Sequence, residues 1–322
     1  MKAITQNAYG GSETLEMGEA DRPKPQKGEV LVRVHAAAID RGTWHLMAGE
    51  PLVARLMFGL RKPRNPVPGR DLAGIVAEVG PEVDGWSVGD EVIGTANGSL
   101  AEYAVVPVTR LARKPANASF EEAAVLSVSG LTALQAVRDV GRVSEGDRVL
   151  VIGASGGVGA YAVQIAAARG AEVVAVASGA KAEWVRSLGA REVIDYARGA
   201  IDPSVGPFDV IIDIAGRRRI SVLRRLLTPR GTLVIVGGEG GGKLLGGTER
   251  QLGAIMMSLF VKHRLTSMLA KESADDMAVL AAMVEAGSLQ PTLDRTFALE
   301  ETTKAMDYLT EGQVRGKIAV TI

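Results

Sequence analysis

The chain has 322 residues, with 37 Lys and Arg balanced by 37 Asp and Glu, three His and no Cys. Zero net charge gives no electrostatic case for nucleic acid or an anionic membrane as a partner. The missing Cys excludes disulfides, a thiolate nucleophile, Cys-ligated zinc and iron–sulfur clusters.

In chain order, Met1 to Asn7 lacks the apolar core of a secretory signal, and no apolar run reaches the roughly 18 residues of a membrane span, so a cytoplasmic protein with no membrane partner is expected. Short strands with frequent turns follow at Glu29–Val34, Gly74–Gly80 and Gly89–Gly94, the pattern of a mostly β domain. The basic stretch Leu52 to Arg64 reads as a solvated loop or short helix rather than a membrane contact. Near Ser119 the character changes. Ala-rich helical segments then alternate with apolar strands at 148–152, 172–177, 209–213 and 231–236, which indicates a parallel sheet covered on both faces. The Gly-rich segment 237–247 is expected to be a mobile loop, and Gly316–Ile322 a last strand.

The strand at 148–152 runs into Gly153-Ala154-Ser155-Gly156-Gly157-Val158-Gly159 and then an Ala-rich helix, the context a dinucleotide fingerprint requires. Gly156 lets a pyrophosphate approach the backbone, Gly159 lets the helix pack near the strand, and the helix N-terminus offers unpaired N–H groups. Ala154 stands where the first glycine of G-x-G-x-x-G would be. The second strand ends in Ala177-Ser178-Gly179-Ala180-Lys181. No acid stands there for a ribose 2′-hydroxyl, Ser178 does not repel a 2′-phosphate, and Lys181 can pair with one, so NADP(H) is preferred to NAD(H).

Several motifs together resemble the medium-chain dehydrogenase/reductase superfamily, in its zinc-independent quinone oxidoreductase-like branch. They are Gly69-Arg70-Asp71-Leu72-Ala73-Gly74, Gly89-Asp90-Glu91-Val92, Ala101-Glu102-Tyr103, Gly130-Leu131-Thr132-Ala133, Leu188-Gly189-Ala190 and Gly316-Lys317-Ile318. The resemblance implies an α/β protein: a GroES-like β domain plus an inserted Rossmann doubly wound parallel-sheet domain. Its boundaries are 1–122 for the catalytic domain, 123–287 for the NADP(H)-binding domain and 288–322 for the return to the first. It further implies ligand binding between the two domains and a homodimer. Carried over by position, Thr132 lies near the nicotinamide and Tyr196 joins Ser178 and Lys181 at the 2′-phosphate. Ala215-Gly216 and Val236-Gly237-Gly238 line the carboxyl edge of the sheet, and Lys317 contacts the cofactor.

Zinc-dependent relatives keep Cys and His where this chain has Ala37-Ala38-Ile39-Asp40 and Gly69-Arg70-Asp71, and the few residues between Gly94 and Ala101 leave no room for a structural zinc lobe. His35, His45 and His263 are scattered. Only His45 with Asp40 and Asp71 imitates a ligand set, and a metal-free site is preferred. Without a Lewis acid the chemistry suits acceptors that take a hydride readily, a quinone or an α,β-unsaturated carbonyl (enone). Asp40 and His45 are the candidate catalytic groups, with Thr43 and Trp44 lining the substrate. Asp40 replaces the Asn of many relatives, and a carboxylate donates only when protonated. The alternatives are a reductase of enoyl thioesters or of simple aldehydes and ketones, and an NADPH-binding protein with little catalysis. Met256, Met257, Leu259 and Phe260 read as core or dimer contact before substrate wall.

Overall fold

The computed structural model describes residues 1–238 and 241–322, so Glu239 and Gly240 of the Gly-rich loop lie outside the described residues. Fifteen strands follow one another among those residues: β1 Lys2–Thr5, β2 Glu16–Glu19, β3 Glu29–Ile39, β4 Asp71–Val79, β5 Glu91–Thr95, β6 Tyr103–Pro107, β7 Leu111–Arg113, β8 Arg148–Ile152, β9 Glu172–Ala177, β10 Glu192–Asp195, β11 Phe208–Asp213, β12 Leu227–Ile235, β13 Arg264–Ser267, β14 Leu293–Ala298 and β15 Lys317–Thr321. The chain forms two compact units, Met1–Leu131 with Glu272–Ile322, and Thr132–Lys271. The helix Ser127–Gln135 carries the chain from the first into the second.

In the first unit the strand order is β14-β15-β3-β4-β5-β7, with β6 also paired to β3. All pairings are antiparallel except β14 with β15. Val30, Val32, Val34, Val76, Val92 and Val106 fill one core, and β-branched side chains suit such a pleated, enclosed surface. The expected return of the last strand is present: β15 pairs β3, with Ile318 opposite Ile39 and Ala319 opposite Ala38. On the other side of β3, Ala38 faces Asp71 of β4.

The helix Ala274–Glu285 belongs to this unit, whereas the sequence reading placed it with the parallel sheet. Asn117 Nδ2 donates to the Val284 carbonyl (3.1 Å), the Ala116 amide donates to Glu285 Oε1 (3.0 Å), and Leu280 packs on Gly130. The division therefore falls after residue 131 and again after 271, not after 122 and 287.

The second unit is a six-stranded, wholly parallel sheet in the order β10-β9-β8-β11-β12-β13. Its strands are apolar on both faces because helices cover both. Val149 to Ile152, Val173 to Ala177 and Val210 to Ile212 are all buried. From β8 the chain winds outward to β9 and β10, then returns to start β11 on β8's other side. That reversal between β8 and β11 is the switch point at which open parallel sheets bind ligands, at the strands' carboxyl ends. Among the described residues no helix is long and apolar enough to cross a membrane.

Candidate functional site

The glycine turn leaves β8 at the switch point and opens the helix Gly157–Ala168. Backbone bonds from Gly153 (3.2 Å) and Ala154 (3.1 Å) to the Val176 carbonyl tie it to β9. Its two later glycines have different reasons to be glycine. A Cβ on Gly159 would stand 2.1 Å from the Gly153 carbonyl oxygen, so the helix can press on the turn only without one. Gly156 has φ −88° and a Cβ there would meet only the Gly153 oxygen, at 3.7 Å. Nothing in the chain requires glycine at 156. Gly156 is also the N-cap and supplies no side-chain acceptor to the helix's first amides. An open backbone beside uncapped N–H groups fits a dinucleotide pyrophosphate.

Ala215-Gly216 and Val236-Gly237-Gly238 lie at the same carboxyl edge as the turn. The Ile214 amide donates to the Ile152 carbonyl (3.0 Å) and that of Val236 to the Asp213 carbonyl (2.9 Å). Gly216 has φ +65° and approaches so closely that a Cβ would be 2.4 Å from the Gly237 oxygen. Asp213, wholly buried at the end of β11, accepts from the Gly216 amide (3.1 Å) and pairs with Arg250. Burial pushes its carboxyl up, against the pull of Arg250 and the Gly216 amide. The sequence reading missed both Asp213 and Arg250. The only signal was an acid closing the apolar run Val210 to Ile212.

Ser178 follows β9 and leads to Lys181, whose amide donates to the Ser178 carbonyl (2.9 Å), while Tyr196, just past β10, is exposed. A second omission stands beside them. Asp195 is the last residue of β10, paired in register with Ala177, and its carboxylate lies against Gly179. An acid is thus present near Ser178 after all, supplied by the third strand instead of the second. It accepts from the Ala197 amide (3.0 Å) and faces Arg198 (3.8 Å). Thr132 is half-buried on the linking helix.

In the first unit the register of β3, β4 and β15 gathers Asp40, Asp71 and Lys317. Lys317 and Asp71 are wholly buried; Nζ donates to Asp71 Oδ2 at 2.7 Å and lies 3.2 Å from Asp40 Oδ2. Asp71 Oδ1 accepts from the Val128 amide (2.6 Å). Burial and the neighbouring Asp40 charge push Asp71 up, against Lys317 and that amide. Burial also opposes ionisation of Asp40, but Lys317 and the Thr43 amide outweigh it and hold its carboxyl below the usual range. Asp40 caps the helix Arg41–Ala48, its Oδ1 accepting from Thr43 N (3.0 Å) and Oγ1 (3.3 Å).

Three expectations change here. Asp40 serves as a cap and a counter-charge to Lys317, and its lowered pKa disfavours the protonated form that a donor needs. Thr43 is 1% exposed with its hydroxyl committed to Asp40, so it shapes the cap instead of lining a substrate. Lys317, expected against a cofactor, is enclosed between two carboxylates. Trp44 is partly buried against the core of Ile39, Met47 and Ile318, with Arg41 over its ring at 5.1 Å. His45 Nδ1 is 3.0 Å from the Glu50 carbonyl, which can only accept, so Nδ1 carries the proton. Tyr161 is wholly buried in the helix after the turn, as packing requires.

The fit of a zinc ion can be tested on these residues. Where a divalent cation would need the carboxylates of Asp40 and Asp71, the Lys317 ammonium already bridges them. His45 is turned to a backbone carbonyl, and Arg70 pairs with Glu272, which also holds Arg110 at 2.8 Å. Among the described residues no three His, Asp or Glu are grouped to hold a metal ion. The donor set does not fit zinc.

Comparison with known proteins accords with this architecture. Residues 26–116 match the alcohol dehydrogenase GroES-like domain, and residues 188–320 the zinc-binding dehydrogenase family. A chloroplastic quinone-oxidoreductase of Triphysaria versicolor is 30% identical, over 99% of this chain and 98% of its own. The chain belongs to the medium-chain dehydrogenase/reductase superfamily and is quinone oxidoreductase-like. A mitochondrial NAD(P)H oxidoreductase of Mus musculus is 32% identical, over 91% of this chain and 82% of its own. Among solved structures, the quinone oxidoreductase of Coxiella burnetii superposes with a TM-score of 0.85 at 28% identity, covering 100% of this chain and 99% of the other.

Proposed function

We propose that this member of the superfamily is a zinc-independent, NADPH-dependent reductase of quinones or α,β-unsaturated carbonyls. The observation that carries the reading is the open turn at Gly156, where the fold leaves room for a pyrophosphate without needing glycine for itself. Bound there, the nicotinamide cofactor supplies a hydride to the acceptor. Gly156 to Gly159 and the uncapped helix hold the pyrophosphate, and Ala215-Gly216 with Val236 to Gly238 flank the ring. Ser178, Lys181 and Tyr196 hold the 2′-phosphate. Asp195 is compatible with that because its charge is turned to the Ala197 amide and Arg198. His45, held through Nδ1, is the group to which the proton delivered to the acceptor oxygen is assigned.

Independence from zinc rests on Lys317. A tethered ammonium neutralises the acidic pair, so the developing charge on the acceptor is left to hydrogen-bond donors. A cytoplasmic homodimer completes the proposal. Among the described residues β13 is an edge strand paired with β12 alone, and Leu252, Met256, Leu259 and Phe260 beside it are 59%, 59%, 73% and 84% exposed, an apolar surface that a second copy covers. Met257 instead packs on the core of its own unit.

A second reading is reduction of enoyl thioesters, since the CurK enoyl reductase superposes with a TM-score of 0.84 at 26% identity. One assay separates these readings. NADPH and NADH oxidation is followed optically against quinones, enones, enoyl thioesters and plain aldehydes, with and without a chelator. NADPH-driven reduction of quinones or enones that survives the chelator is expected. Equal use of NADH overturns the role given to Ser178 and Lys181, and loss of activity with the chelator overturns the metal-free reading.

A further inference from the structure

A cavity of about 350 Å³ opens in the second unit beside Gly216, lined among others by Arg217, Arg218, Arg219, Glu249, Arg250 and Met257. Four arginines thus border one small cavity, Arg217 and Arg219 exposed and Arg218 and Arg250 partly buried, which gathers positive charge around it. Several arginines elsewhere in the chain are matched: Arg70 and Arg110 share Glu272, Arg113 meets Asp90, and Arg148 meets Glu172. Among the described residues Arg217, Arg218 and Arg219 form no salt bridge, Arg218 acting on the Asp213 carboxylate only through its charge, and Glu249 on the same cavity pairs with none of them. Arg250 is only partly satisfied. Its Nη2 pairs with Asp213 and its Nε donates to the Arg218 carbonyl (2.9 Å), but Nη1 is buried without a partner. Asp213 and the Arg218 backbone therefore hold the Arg250 fork in place while leaving donors unused.

We propose that this cavity is an anion subsite that takes a carboxylate or phosphate group carried by the acceptor. Guanidinium forks match the paired oxygens of both groups, and the volume admits such a group with a short arm while being small for a dinucleotide. Met257 and Ile220 give the arm an apolar wall. Gly216 belongs both to this cavity and to the carboxyl edge assigned to the nicotinamide, so the anion anchors the acceptor one step from the reacting carbon. The inference rests on the reductase reading and adds a substrate class to it: acceptors bearing an acidic group.

Calorimetric titration tests the subsite without turnover. Inorganic phosphate and succinate are each titrated into the full protein saturated with NADPH, and into the Arg218→Ala/Arg219→Ala variant. At least one anion is expected to bind with NADPH present and to bind at least tenfold more weakly to the variant, with NADPH affinity unchanged. Whichever anion binds more tightly decides between phosphate and carboxylate. Absence of binding by both anions, equal binding by the variant, or displacement of the anion by NADPH overturns the subsite. A kinetic arm compares an enone carboxylic acid with its methyl ester. The acid is expected to have the higher kcat/KM by at least tenfold in the parent and to lose that preference in the variant. An equal preference in both proteins overturns the substrate class. If neither enone consumes NADPH, the reductase reading fails, while the titration still decides the anion site.

Discussion

Lys317 and Arg250 are each paired with a wholly buried aspartate, yet one cation is closed off and the other is left open. The Lys317 ammonium has no exposed surface and is shared by Asp71 and Asp40. Arg250 keeps 14% of its side chain exposed, leaves Nη1 without a partner and lines a cavity. The difference follows from where each lies. Lys317 starts a strand between two others, where every polar atom must be satisfied inside the protein. Arg250 belongs to a helix at the carboxyl edge of a parallel sheet, where ligands are met. A closed cluster stabilises one conformation, and an open one keeps binding capacity in reserve.

The contrast breaks first at Lys317. Lys317→Met strands two neighbouring buried carboxylates and is expected to cost about 3–5 kcal/mol in denaturant unfolding. Adding Asp71→Asn should recover part of it. A loss below about 1 kcal/mol would show that the cluster is not closed. Arg250→Met should cost less, about 3 kcal/mol, because Asp213 keeps the Gly216 amide. Burial already raises the folded Asp213 pKa, so losing the cation raises it further. The folded variant then binds a proton that the unfolded chain releases, and its deficit shrinks as the pH falls through that raised value.

The open edge offers a sharper pair. Gly159→Ala meets backbone at 2.1 Å and should cost about 1–3 kcal/mol of stability. Gly156→Ala should leave stability within about 0.5 kcal/mol but weaken NADPH binding roughly tenfold, measured by fluorescence titration. A Gly156→Ala protein that binds NADPH normally would remove the turn from the site.

The smallest effect tests the closed side. His35 stacks on Phe120 at 4.4 Å with Nε2 buried and unpartnered; burial first and then Arg33 hold its pKa down. A base with a depressed folded pKa is protonated first in the unfolded chain. Stability is therefore full above about 6.5 and declines as pH falls toward the folded value. His35→Phe should flatten that acid limb by about 0.5 kcal/mol or less, read from melting temperatures between mild acid and mild base.

Much of this architecture is visible in one dimension. The parallel sheet announces itself through strands apolar at every position, and the phosphate turn through glycines bracketed by strand and helix, because both are local demands of backbone geometry. The roles of Asp40, Thr43 and Lys317 were misread for the opposite reason. They lie on three segments, and a charged residue at a strand end looks the same in sequence whether it meets solvent, a ligand or another charge. Asp195 escaped similarly: the acid was sought at the end of the second strand, and parallel pairing brought one from the third.

The sequence by itself determined the fold class, the family resemblance and the absence of thiol ligands, since these depend on composition, periodicity and motif spacing. Only the tertiary structure decided that an ammonium bridges the two aspartates, because Ala38 faces Asp71 and Ile39 faces Ile318 solely through long-range strand register. It also decided that four arginines converge on one cavity, because Arg217 to Arg219 and Arg250 meet only when the ends of β11 and β12 are laid side by side.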